Sequence, residues 1–199
     1  MLLTTDAIVL SLQPHSDKAH ILHAYTRANG RVNYMVYGLG RKHPRGLYTP
    51  LSLIQITADH SPSKPPTAKE TTPLTVNGVN DLTSNIYKQT IALFISEVLY
   101  HVLRHPMTDE PMFDFLIDSI NELNSLPEPQ NFHIRFLVDF AAKLGFAIPE
   151  EQSPFTLHLT PSTRVERQAA LRSLCDYFEE HVETWQTPKS LDVLIEVFD

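Results

Sequence analysis

Near residue 81 the spacing of apolar residues changes from two to between three and four, and the charge changes sign at the same place. Period two is the signature of a strand with one buried face, and a period near 3.6 is that of an amphipathic helix. Residues 1–80 hold eight Lys and Arg against four Asp and Glu, a net +4, while 81–199 hold eight against nineteen, a net −11. A chain of 199 residues supports one large domain or two small ones. These two changes predict a basic β module at 1–80 followed by an acidic helical domain at 81–199. The whole-chain pI of 5.8 hides the basic module.

Five strands are expected in the first part. Thr5–Leu12 alternates, a polar break follows at 13–18, and His20–Thr26 forms the second strand. Ala28-Asn29-Gly30 turns the chain, because Asn and Gly accept positive φ at low steric cost. Val32, Tyr34 and Val36 alternate with Asn33, Met35 and Tyr37 in a third strand, and Gly38–Gly46 reads as a basic, flexible, glycine-flanked loop. A fourth strand is expected at Tyr48–Thr57, a proline-rich hairpin tip at Asp59–Pro66, and a fifth strand near Thr67–Val76. Short antiparallel strands in this number fit a small closed barrel better than an open sheet with two free edges.

The second part reads as helices. One starts near residues 83–84 and buries Ile86, Leu93, Phe94, Val98 and Leu99; a second opens at Thr108-Asp-Glu-Pro111 with Phe113, Leu116, Ile117, Ile120 and Leu123 inside. A third carries Phe132, Phe136, Leu137, Phe140 and Leu144 and ends at Gly145. A short strand is expected at Phe155–Leu159. Thr163 and Glu166 have capping-box spacing for a fourth helix running to about Thr184, and Leu191–Phe198 closes the chain as a short helix. The longest apolar stretch, Ile91–Leu103, is interrupted by Ser96, Glu97 and His101 and is no membrane span, and the N-terminus has no secretory pattern, so the expected location is the cytoplasm.

Enzyme chemistry finds little support. No GxSxG, HExxH or P-loop pattern occurs, and no acidic cluster suited to a metal nuclease converges. Cys175, the single cysteine, excludes an internal disulfide or a cysteine-based zinc site, and its place on an apolar helix face reads as a buried thiol. His15, His20 and His23 lie across a loop and two strand faces, so they do not form a metal set. The acidic pairs Asp109/Glu110, Glu150/Glu151 and Glu179/Glu180 fall at helix ends, loops or solvent faces.

The candidate site is the basic module. Lys18, Arg27, Arg31, Arg41, Lys42 and Arg45 fall in or beside the loops that join its strands, and Tyr25, Tyr34 and Tyr37 are interleaved with them, as is Tyr48. Dispersed cations suit backbone phosphates and flat aromatic faces suit unstacked bases, which is the chemistry of a single-strand groove. The competing readings are a solvated basic surface with tyrosines that close the core, and a protein–protein adaptor in which the barrel is a scaffold and the acidic helices form the working surface.

Several stretches resemble the RecO family of bacterial recombination mediators: Ala7-Ile-Val-Leu10, Ser16-Asp-Lys18, Ala24-Tyr-Thr-Arg27 and Gly30-Arg31; then Gly38-Leu-Gly-Arg-Lys42 through Leu51; then Phe136–Phe146 with Pro149 and the tail Ser190–Phe198. The resemblance implies an N-terminal five-stranded OB-fold at 1–80 and a helical C-terminal domain at 81–199. It also implies a non-enzymatic role in DNA repair and recombination: binding single- and double-stranded DNA, annealing strands and assisting RecA loading. The implied partners are a RecR-like protein and the C-terminal tail of single-strand-binding protein. Many members insert a cysteine-paired zinc ribbon after the stretch matching Gly145–Pro149. Residues 150–161 contain no cysteine, so neither a ribbon nor a zinc cofactor is expected. An acidic tail meeting this acidic domain needs local cations such as Arg104, Arg135, Lys143 or Arg172.

Overall fold

A computed structural model of the chain describes residues 1–61, 64–74, 81–83, 85–149 and 161–198. Its strands are β1 (Leu2–Ser16), β2 (Ala19–Thr26), β3 (Gly30–Tyr37), β4 (Leu53–Ser61) and β5 (Lys64–Pro73). They close a barrel in the order β1-β2-β3-β5-β4 and back to β1. That is an OB-fold barrel, in which β3 and β5 run parallel through Met35 and Thr67 while every other seam is antiparallel.

Closure depends on β1. Leu2–Ile8 pairs with β4, Ala7–Ser16 pairs with β2, and a register shift between Val9 and Ser11 bends the strand where it changes partner. Alternation then delivers Ala7, Val9, Leu22, Ala24, Tyr34, Val36, Ile54, Ile56, Ala58 and Ala68 to one core, joined by Tyr48.

Several boundaries differ from the sequence expectation. β1 continues to Ser16, because Ser16 pairs with Ala19 and only Asp17 and Lys18 turn the chain. The fourth strand starts at Leu53: Arg45–Tyr48 is a 3-10 turn, and Leu51 stands at φ 60° with its side chain buried. The expected tip narrows, since Ser61 already pairs with Lys64. Pro65 and Pro66 lie where the β4–β5 register shifts, a place that needs no ladder donor. Val76 of the expected fifth strand and the expected Phe155–Leu159 strand lie outside the described residues.

The helices are α1 (Ile86–Val102), α2 (Glu110–Ser125), α3 (Phe132–Lys143), α4 (Arg164–His181) and α5 (Leu191–Val197). None of the described helices is long and apolar enough to cross a membrane. By packing, the chain divides into one unit of Met1–Asn80 with Leu103–Asn121 and another of Asp81–Val102 with Glu122–Asp199. Strands and helices thus part near residue 80, but Leu103–Asn121 clusters with the barrel. Periodicity identifies this segment as helical and says nothing of which unit it covers.

Within the barrel unit that segment is fastened to the β2–β3 turn. The Arg31 N–H donates to the His105 carbonyl at 3.2 Å, and the Thr108 hydroxyl donates to the Ala28 carbonyl at 2.6 Å. Gly30 stands at φ 59°, and a Cβ there would lie 2.3 Å from the Met107 carbonyl oxygen, so only glycine fits. The Asp109 carboxylate accepts from the Met112 N–H at 2.9 Å and caps α2.

In the second unit the Asn85 side chain accepts from the N–H groups of Tyr87 and Lys88 at the start of α1. α1 buries Ile91, Phe94, Ile95, Val98 and Leu99, while Ile86 and Leu93, expected inside, face outward. Gly145 at φ 92° ends α3 with both Schellman bonds, Gly145 N–H to Ala142 and Phe146 N–H to Ala141. Thr163 and Glu166 form the expected capping box, and α4 ends at His181, short of Thr184. Phe132, Phe136, Phe140, Phe178 and Trp185 stack in sequence, with centroids 5.1–6.4 Å apart. Cys175, on α4 three residues before Phe178, is buried, and burial pushes its thiol up to about 12. The Glu97 carboxylate accepts from the Ser190 N–H at 2.9 Å and its hydroxyl at 2.8 Å, serving the start of α5.

Candidate nucleic-acid interface

Strand register sorts the expected site residues into two groups. Ser16 pairs with Ala19 and Ala19 with Tyr37, so the Asp17–Lys18 turn and the loop after Tyr37 share one end of the β1-β2-β3 ribbon. Thr26 pairs with Gly30, so Arg27 and Arg31 share the other end. Seven strand steps separate the ends, about 23 Å at the usual rise.

At the first end Lys18, Arg41, Lys42 and Arg45 are all exposed, and none makes an ion pair among the described residues. Tyr37 stands beside them with 49 % of its surface open. Asp17 is the acid in the adjoining turn. The loop carrying three of the cations is held, not free as the sequence suggested. Gly38 and Gly40 adopt φ of 76° and 86°. The N–H groups of Arg41 and Lys42 both donate to the Gly38 carbonyl at 3.0 Å, and Gly40 donates to the His43 carbonyl at 2.8 Å. His43 is only 2 % exposed. Its Nδ1 lies 2.9 Å from the Tyr48 hydroxyl, which in turn donates to Thr71 Oγ1 at 2.9 Å. Burial, with the nearby Lys42 charge, holds the His43 imidazole below its ordinary pKa.

The second end is occupied by protein. Arg27 pairs with Asp114 at 2.8 Å and lies 3.9 Å from Asp6, with its guanidinium 4.5 Å above the centre of the Phe113 ring. Tyr25 stacks on the same Phe113 at 6.2 Å and is 3 % exposed; burial, then the Asp109 charge, pushes its hydroxyl up to about 12. Leu103–Asn121 carries one arginine against Asp109, Glu110, Asp114 and Asp118, so the barrel unit has a net charge of +1, not +4. Two of its acids, Asp114 at Arg27 and Asp109 near Tyr25, lie at this end, which leaves the opposite end the more cationic one.

This corrects the expected site. Tyr34 is inside the barrel with no exposed surface, and Tyr25 is covered by α2, so neither offers a ring to a base. Of the three tyrosines only Tyr37 does. Arg27 is engaged by carboxylates, and Arg31 lies at that same covered end. Sequence reasoning passed over Lys69, an exposed bulge residue. Thr57 pairs with Glu70 and Ala58 with Ala68, leaving Lys69 unmatched beside the β3–β5 seam. It also passed over His43, whose signal was a lone uncharged ring amid three cations.

The second unit holds a shallow, half-open hollow with Leu171, Leu194, Ile195 and Phe198 in its wall. His133 also lines it, 3 % exposed and with no hydrogen-bond partner for Nδ1 among the described residues, as do Arg164 and Arg167. Burial depresses the His133 pKa to about 3, helped by the Arg167 charge, so the ring is neutral. The chain's own cations at this hollow are thus on the first turn of α4. Arg135, expected to be available, is paired with Glu122.

Residues 1–64 match the family described as recombination protein O N terminal, and residues 83–156 that described as recombination protein O C terminal. The chain is 30 % identical to a DNA repair protein RecO from Phocaeicola vulgatus, over all of both chains. It is 28 % identical to one from Flavobacterium johnsoniae and 27 % identical to one from Porphyromonas gingivalis, again over all of each chain. The first alignment runs over 246 positions, more than the 199 residues present here.

Proposed function

From the premise that the chain belongs to the RecO family of DNA repair proteins, we propose that it is a non-enzymatic, cytoplasmic recombination mediator that holds DNA at the cationic end of its barrel. The observation that carries this reading is the gathering of Lys18, Arg41, Lys42 and Arg45 around an open Tyr37, with no carboxylate paired to any of them among the described residues. Cations that need not first break an ion pair meet phosphate with little desolvation cost, and one open ring can stack on one base. Double strands would use the same cations without stacking. Holding two strands by their backbones leaves their base edges free to pair, which is the physical basis for annealing.

The wider role includes help in loading RecA on coated single strands, with a RecR-like protein and the single-strand-binding protein tail as partners. The hollow of the second unit supports the tail contact. It offers an apolar wall for a side chain and Arg164 and Arg167 for acidic groups, within a unit that is otherwise acidic. The missing cysteines at 150–161 support activity without a zinc ribbon.

The test is single-strand binding by the full chain, followed by fluorescence anisotropy across a salt series. Affinity should fall with salt by about 0.7 log units per decade for each phosphate contacted. Arg41→Glu combined with Lys42→Glu should abolish most of it. Unchanged DNA affinity in that variant would favour the adaptor reading and sink this one.

A further inference from the structure

The loop Gly38–Arg45 poses a physical problem. Three exposed cations on eight residues repel one another and ought to spread the loop into solvent, yet its backbone folds back on itself around one buried residue. We propose that His43 is the positioning residue of the DNA contact: through Tyr48 and Thr71 it ties the loop to β5 and so presents Arg41 and Lys42 in a fixed arrangement. The proposal rests on the DNA-binding reading above and deepens it, naming what shapes the contact rather than what touches phosphate.

The hydrogen bonds run in one direction. Tyr48 has a single hydroxyl proton and gives it to Thr71, so its oxygen must accept from His43, whose Nδ1 therefore carries the hydrogen. His43, Tyr48 and Thr71 are all buried, so the relay is shielded from competing water. On the loop side, Leu39 and His43 form a bridge and Gly40 donates to the His43 carbonyl. The same residue is therefore held twice, by its backbone to the glycine turn and by its ring to the barrel. Arg41 and Lys42 lie between the glycine turn and His43, with their own N–H groups fixed to Gly38. The Lys69 bulge shifts the alternation of β5, so that Ala68 and Thr71, three residues apart, are both buried, and the 3-10 turn Arg45–Tyr48 delivers Tyr48 to the same core. The loop is thus ordered when the barrel folds. An untethered loop would have to be ordered each time it bound DNA, at a cost in affinity.

Removing the tether while keeping every cation isolates the effect. His43→Ala and Tyr48→Phe should each bind single-stranded DNA about tenfold more weakly than the parent, the scale expected when a preorganised loop must be ordered on binding. The salt slope should fall by about 0.7, the loss of one phosphate contact. His43→Asn keeps a side-chain N–H near the Nδ1 position and should recover most of the affinity. Tyr48→Phe covers the case in which His43→Ala fails to fold. A role in stability alone predicts a lower melting temperature with unchanged slope and unchanged affinity well below it. That result, alongside weak binding by the Arg41→Glu, Lys42→Glu variant, would overturn this proposal and leave the DNA-binding reading standing. Full binding by the double-glutamate variant would remove both.

Discussion

Tyr34 shows how little a residue's type says about its role. Its hydroxyl has no hydrogen-bond partner among the described residues, its ring meets His60 edge-on at 6.0 Å, and burial pushes its pKa up to about 12. An unsatisfied buried hydroxyl costs on the order of 1–3 kcal/mol. Tyr34→Phe should therefore leave the melting temperature unchanged or raise it, with single-strand affinity intact; a loss of DNA binding would show that the buried ring matters to the contact after all. Parity along β3 separates Tyr34 from Tyr37 in the sequence, because residues one apart face opposite sides of a strand. Parity cannot separate Tyr25 from Tyr37, which lie on the same outer face. What distinguishes them is Phe113, more than eighty residues from Tyr25 in the chain, and no local pattern reveals which strand a distant helix will cover. The same holds for Arg27, whose partner Asp114 comes from that helix.

Elements whose ends are marked by local chemistry were legible. The Thr163–Glu166 capping box and the Gly145 stop are satisfied within a few residues of chain, so spacing alone identifies them. The start of β4 was not legible, because Tyr48 is drawn out of the strand by Thr71, a residue of the next one. Nor was the parallel β3–β5 seam, which only barrel closure requires. The β2–β3 turn falls between these cases. Asn29-Gly30 signals a turn, but the demand on Gly30 is set also by the Met107 carbonyl. Gly30→Ala combines a left-handed backbone with a clash against main chain and should cost more than about 2 kcal/mol, measured by urea unfolding. A smaller loss would mean that Leu103–Asn121 can withdraw from the turn without penalty.

For the whole molecule, stability should depend on pH in the range where histidines titrate. His133 is held neutral with a pKa of about 3, and burial also lowers His23 and His43. The unfolded chain takes up these protons near pH 6.5 and the folded chain resists them, so acid favours unfolding from about pH 6.5 downward. Each such group contributes at most about 1.4 kcal/mol per pH unit within that window. Melting temperature should be level between about pH 7 and 8 and fall between about pH 6.5 and 5, and His133→Phe should flatten the fall. The lowered carboxylates Asp59 and Glu166 act only at lower pH. The return of Leu103–Asn121 to the barrel also sets an order of events during synthesis. The last strand is translated long before the segment that covers Tyr25 and neutralises Arg27, and α1 is made in between. A nascent chain stalled soon after β5 would display a bare tyrosine, and an arginine with only Asp6 for a partner, at the end that the finished protein closes. While it is being made, the barrel is a stickier and more cationic object than the protein it becomes.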